Sequence, residues 1–188
     1  SFIDEIAYAS EQDPLVLRQM LLAEHPRHLQ VLALAAKKSQ WGTSLPEGYG
    51  RGIAIEHCMG SYVAQVVEVS VGNDKSIRIH RVTCVVDCGI AVNPLNIKAQ
   101  MEGAIVFGLS AALHGEITIE GGAIQQSNFH DYPVLRINEM PEIEVHIIKS
   151  GEKPSGVGEP GVPPVAPAVA NAVFAATGMR VRKLPIRL

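Results

Sequence analysis

The stretch Ser155-Gly156-Val157-Gly158-Glu159-Pro160-Gly161 holds the residue types best suited to chemistry. Gly156 and Gly158 remove side-chain bulk, so that the backbone can approach a ligand closely, and Pro160 restricts the conformation of Glu159. The loop leads into a helix N-terminus, which favours negative charge. A carboxylate held there suits general-base work, because partial burial raises its pKa toward the working pH while a stiff loop fixes its direction. Glycine and proline also build ordinary surface loops with the carboxylate solvated, and residue types alone leave that alternative open.

A second candidate is the helix predicted from Asn93-Pro94 to about Leu113. Its apolar stripe is Ile97, Met101, Ile105, Leu109 and Leu113, and a neighbouring face carries Gln100, Gly103, Ala104, Phe107 and Ala111. An amide flanked by small residues can lie against a flat partner and both donate and accept hydrogen bonds. The same small residues would equally admit a second packed element.

Other groups are weaker candidates. Cys84 and Cys88 share a strand face but lack the second pair that tetrahedral zinc requires, so buried thiols are expected. His25 and His28 read as a solvated helix start. Ser127, His130 and Asp131 supply the letters of a nucleophilic triad, but five positions of one loop rarely converge in that geometry and no nucleophile elbow is present.

The elements that position these residues follow from periodicity. Asp13-Pro14 and Pro26 open helices, the second ending near Lys37-Lys38, and Gly42 to Gly50 is a loop that separates a helical segment, residues 1–45, from the remainder, 46–188. Period-two patterns then run through Ile53 and Ile55, through Val63 to Val71, and through Ile77 to Val86. They predict a hairpin around Gly72-Asn73-Asp74 with a bulge near His80-Arg81, where the apolar phase slips by one. Short strands are expected at 116–119, 123–126 and around Ile143 to Ile147. A Pro/Gly-rich loop precedes a last helix from about Pro164 to Thr177, stopped by Gly178. The expected fold class is α/β or α+β with mixed sheets.

Composition bounds the function. The chain has 188 residues, a net charge of −3 and only 5% aromatic residues, which supplies neither the basic footprint nor the stacking platforms of a nucleic-acid binder. The apolar run from Val162 to Gly178 is broken by three prolines and Asn171 and is shorter than the roughly 20 residues that span a bilayer, so no transmembrane segment is expected. Three cysteines imply no disulfide framework.

Several segments, in order, carry a family resemblance. They are Val86-Asp87-Cys88-Gly89 with Asn93-Pro94, then Gln100-Met101-Glu102-Gly103 with Gly108-Leu109, then Gly156-Val157-Gly158-Glu159-Pro160-Gly161-Val162-Pro163-Pro164. Together they resemble the C-terminal part of the molybdopterin-binding large subunit of the xanthine oxidase family of molybdenum hydroxylases. The likeness is to the isoquinoline 1-oxidoreductase beta-subunit group, also described as aldehyde dehydrogenase-like. Ser1-Phe2-Ile3-Asp4-Glu5, His25-Pro26-Arg27-His28, Gly60-Ser61-Tyr62-Val63-Ala64 and Ser127-Asn128-Phe129-His130-Asp131-Tyr132 fit the same group.

The resemblance implies that Glu159 is the catalytic base, taking a proton from a molybdenum-bound hydroxide that attacks an N-heterocycle or aldehyde while hydride passes to a sulfido ligand. It implies that Gln100 contacts the pterin, with Gly103, Gly156, Val157 and Gly158 also at the cofactor and no side chain ligating the metal. The implied cofactor is a molybdenum-pterin in its cytosine dinucleotide form, bound by residues 46–188. The implied partners are upstream segments of the same subunit, a small iron–sulfur subunit and a small-molecule substrate. Because the chain starts without Met or a basic leader, with apolar patterning already at Phe2, it is expected to be a piece of a longer chain. It should then be inactive and cofactor-free alone, with exposed apolar surfaces. A non-catalytic assembly module is the main alternative, and a small hydrolase using Ser127 or His130 a third.

Overall fold

A short helix, α1 (Phe2–Ala9), precedes two that begin on proline, α2 (Pro14–Leu21) and α3 (Pro26–Lys38). Proline suits a first helical position because the amide it lacks has no partner there. The Asp13 carboxylate caps α2 by accepting from the amides of Leu15 at 2.8 Å and Val16 at 3.1 Å. The computed structural model describes every residue from Ser1 to Leu188.

Three long strands follow, β1 (Tyr49–Cys58), β2 (Ser61–Val71) and β3 (Ile77–Asp87), each antiparallel to the next. Met59 and Gly60, at φ +54° and +80°, form the tight turn between β1 and β2. The predicted bulge is present: Glu68 pairs with Arg81 and Val69 with Ile79, leaving His80 as the extra residue.

Helix α4 (Pro94–Leu113) is capped by Asn93, which accepts from the Asn96 amide at 3.1 Å. The strands expected at 116–119 and 123–126 are reduced to a two-residue ribbon, β4 (Ile119–Glu120) and β5 (Ala123–Ile124), set around Gly121 and Gly122. Strand β6 (Glu142–Ile147) joins the main sheet parallel to β3, giving the order β1-β2-β3-β6. The chain ends with α5 (Val165–Thr177), closed by Gly178 at φ +73°. The fold is therefore mixed α/β, as the periodicity implied.

The sheet is buried on both faces. Val31, Leu32 and Ala35 of α3 pack on Ile53, Ala64, Val66 and Val85. On the opposite face Met101, Ile105 and Leu109 of α4 and Val169 and Val173 of α5 pack on Val63, Val67, Val82 and Val86. A Cβ on Gly52 would lie 2.1 Å from the Ala168 carbonyl oxygen and 2.2 Å from the Ala172 nitrogen, so α5 crosses β1 backbone against backbone. The buried Asn171 fixes that crossing by donating to the Ile53 carbonyl at 3.0 Å. Outside the core, Phe2, Tyr8, Val92, Leu95, Phe107 and Phe129 are exposed, in accord with the expected apolar surfaces.

Candidate cofactor-facing site

Strand β2 places two buried polar side chains, Ser61 and Gln65, on the face that lies under the Gly/Pro loop. The Ser61 hydroxyl donates to the Gly156 carbonyl at 2.7 Å and lies 2.8 Å from the Ser155 hydroxyl. Four residues along, the Gln65 amide donates to the Gly161 carbonyl at 2.8 Å. The backbone adds three bonds: Ser155 N–H to the Cys88 carbonyl, Gly156 N–H to Met59, and Val162 N–H to Glu159.

The far end of the loop rests on α4. A Cβ on Gly161 would sit 2.8 Å from the Ala104 Cβ and 3.2 Å from the Met101 sulfur. The loop is thus stretched from the β1–β2 turn to α4, and it brings Glu159 to within two residues of the contact with the helix turn that carries Gln100 and Gly103. Both Glu159 and Gln100 are exposed. Val157 is half-buried against the main core.

The glycines separate by what surrounds them. A Cβ on Gly156 would meet the Met59 Cβ at 3.1 Å, and one on Gly108 would strike Val165 at 2.8 Å, so packing within the chain accounts for both. A Cβ on Gly103 or Gly158 would meet nothing within 4 Å. Neither has a positive φ. Gly103 lies within α4, where glycine costs about 1 kcal/mol relative to alanine. Close packing of a second element thus explains Ala104 but not its neighbour Gly103.

Sequence reasoning missed the role of Asp87. Its buried carboxylate accepts from Arg27 Nε at 2.7 Å, from the Ser150 hydroxyl at 2.6 Å and from the Gly89 amide at 3.0 Å. Burial pushes its pKa up, but these hydrogen bonds and the Arg27 charge outweigh burial and hold the carboxyl below the usual range. The Arg27 guanidinium also lies 4.3 Å from the centre of the Tyr62 ring. The sequence signal was its place in the Val86-Asp87-Cys88-Gly89 segment, directly after the apolar Val85 and Val86, which gave no indication of its partner.

The remaining candidates resolve plainly. Cys84 and Cys88 are buried thiols, and burial pushes Cys84 up to about 12. His28 is half-buried rather than solvated, 4.6 Å edge-on from Tyr62, on which His57 stacks at 4.2 Å. Burial, then the charges of His25, His57 and Arg27, lowers its pKa. No group of three or more His, Cys, Asp or Glu side chains converges on a metal position. The Asp131 carboxylate accepts from the amides of Asn128 and Ser127 and from the Ser127 hydroxyl, which hold it at about 2. Serine bonds directly to the aspartate with no histidine between them, an arrangement that caps a loop and does not activate a nucleophile.

A family profile described as a molybdopterin cofactor-binding domain matches residues 16–141. The chain belongs to this family. The matched range includes Gln100 and Gly103, and Glu159 lies beyond it. Isoquinoline 1-oxidoreductase subunit beta of Brevundimonas diminuta is 36% identical over 191 residues, covering all of this chain and 24% of that protein. A Gluconacetobacter polyoxogenes protein named membrane-bound aldehyde dehydrogenase [pyrroloquinoline-quinone] is 34% identical, covering 99% of this chain and 27% of its own length. The crystal structure of the aldehyde oxidoreductase from Desulfovibrio desulfuricans ATCC 27774 aligns with a TM-score of 0.59 at 28% identity, over 66% of this chain and 14% of that one. The chain thus spans about a quarter of the length of these two relatives. The family implied by the ordered motifs is the family found. No helix is long and apolar enough to cross a membrane.

Proposed function

We propose that this chain forms part of the large subunit of a molybdenum hydroxylase that oxidises an N-heteroaromatic or aldehyde substrate. In this reading Glu159 is the general base, and Gln100 and Gly103 meet the pterin. The observation that carries it is the seating of Gly161 on Met101 and Ala104, which joins the Glu159 loop to the Gln100 turn of α4.

The residues present fit a flat, hydrogen-bonding cofactor. Gly103 and Gly158 are open where neither packing nor backbone conformation calls for glycine, and each lets a ligand approach to backbone distance. Gln100 offers both a donor and an acceptor beside Gly103. Gly156 has its amide and carbonyl engaged with Met59 and Ser61, so it spaces the loop, while the backbone groups of Val157 and Gly158 make no hydrogen bond within the chain. When bound, the cofactor supplies Lewis-acid activation of water and a two-electron sink. Glu159 accepts the proton at a carboxylate oxygen, aimed by the clipped loop. Glu159 is exposed on this chain, so in this reading it is the cofactor and other polypeptide that shield it from water.

Three scattered cysteines cannot supply the four thiolates of an iron–sulfur cluster, so in this reading the clusters for onward electron transfer belong to a small partner subunit. The cofactor is the cytosine dinucleotide form, and the substrate pocket is completed by upstream segments of the large subunit. The exposed Val92, Leu95 and Phe107 also favour a second reading, a module that only docks other polypeptide. Elemental and pterin analysis of the native complex separates the two: one molybdenum per large subunit is expected, and its absence supports the module. The isolated 188-residue chain is expected to retain none.

A further inference from the structure

Glu159 is exposed and makes no side-chain hydrogen bond or ion pair within the chain, so the backbone that carries it is what fixes where its side chain starts and which way its Cα–Cβ bond leaves the loop. That backbone is held at both ends from one strand. Ser61 and Gln65 are wholly buried, four residues apart on β2, and so lie on one face about 13 Å apart. Ser61 takes the Gly156 carbonyl at 2.7 Å and Gln65 takes the Gly161 carbonyl at 2.8 Å, bracketing Glu159.

We infer that Gln65 and Ser61 are positioning residues that fix where the Glu159 carboxylate points, an inference that rests on Glu159 being the base. Packing alone does not explain Gln65. Its neighbours on that face, Val63 and Val67, are apolar, and its Oε1 is buried without a partner. Burying such an orphan is destabilising, a cost that an apolar side chain of similar volume avoids. The amide is also oriented by chemistry, because only the Nε2 end can donate to a carbonyl.

The test is Gln65→Met in the native holoenzyme, since methionine keeps the volume and loses the donor. The expected result is a kcat per molybdenum lowered about 100-fold with KM within about threefold, as for a misaimed group. Molybdenum content should be unchanged, and hydrogen exchange at the Gly156 and Val162 amides should be faster. In a Glu159→Gln background, Gln65→Met should lower kcat no further. Unchanged kcat with unchanged exchange overturns the inference, as does a loss of stability or cofactor with kcat per molybdenum intact. Should Gln65→Met fail to fold, Ser61→Ala removes the clip at the other end and carries the same readouts. If Glu159→Gln alone retains turnover, the assignment of the base fails instead, and the exchange result still reports whether the clips hold the loop.

Discussion

The Asp87 carboxylate, wholly buried at the end of β3, accepts Arg27 Nε at 2.7 Å and ties the start of α3 to the strand that leads toward α4. Ser150 bonds to the same carboxylate, so the segment entering the Glu159 loop shares this anchor. Asp87→Asn should cost about 3 kcal/mol in urea unfolding, because it leaves a guanidinium only about a quarter exposed without its countercharge. Asp87 has a folded pKa below its unfolded value, so its stabilisation is complete above the ordinary carboxylate range and is lost as pH falls through the depressed native value. The variant should therefore lose less stability than wild type between about pH 4 and pH 2. Parallel acid-denaturation curves for the two proteins would contradict this.

Gly103 gives a prediction with opposite signs in two assays. Gly103→Ala should stabilise the isolated chain by about 1 kcal/mol, a rise in Tm of about 2–4 °C, because the added methyl meets nothing and improves helix propensity. The same variant in the native complex should lose pterin, since the methyl stands where a flat ligand approaches. Full cofactor content alongside the higher Tm would remove Gly103 from the site.

Gly52 provides the contrast. Gly52→Ala drives a Cβ to 2.1 Å from the Ala168 carbonyl oxygen, which only a displacement of α5 from β1 can relieve. We expect a loss of about 3 kcal/mol or more, or no folded protein, by thermal unfolding. A variant as stable as wild type would show that α5 does not sit against β1 as described.

Much of this arrangement was legible in the residues, and the limits were physical. Asn93-Pro94 and Gly178 mark helix ends through local hydrogen bonding and backbone conformation, so they are readable from neighbours alone. The bulge at His80 was equally local, visible as a slip in the apolar phase. The parallel pairing of β6 with β3 is not local, since it depends on how α4 returns the chain across the sheet. Asp87 was hidden for the same reason: its partner Arg27 lies 60 residues away. The two clips on the loop were missed because Ser61 and Gln65 look like ordinary interruptions of a strand until Gly156 and Gly161 are brought against them. The motifs pointed to Glu159 and Gln100, and only the fold shows that Gly161 brings their segments together.

The loop around Ser127 is bound to itself through the Asp131 carboxylate and should support no turnover. An NMR titration of the Asp131 carboxyl should give a midpoint at about 2, because the Asn128 and Ser127 amides hold it ionised. A midpoint in the ordinary range near 4 would mean that the cap is not formed. Ester hydrolysis should be at background and unchanged by Ser127→Ala, whereas turnover that this substitution removes would revive the hydrolase reading.

The most direct test of the central claim is Glu159→Gln in the native complex, with molybdenum content and substrate oxidation measured on the same preparation. The substitution keeps the shape of the side chain and removes the proton acceptor. The expected result is full molybdenum content with turnover lowered by at least about 100-fold, the range associated with a general base. Turnover equal to wild type at equal molybdenum content would contradict the assignment of Glu159 as the base.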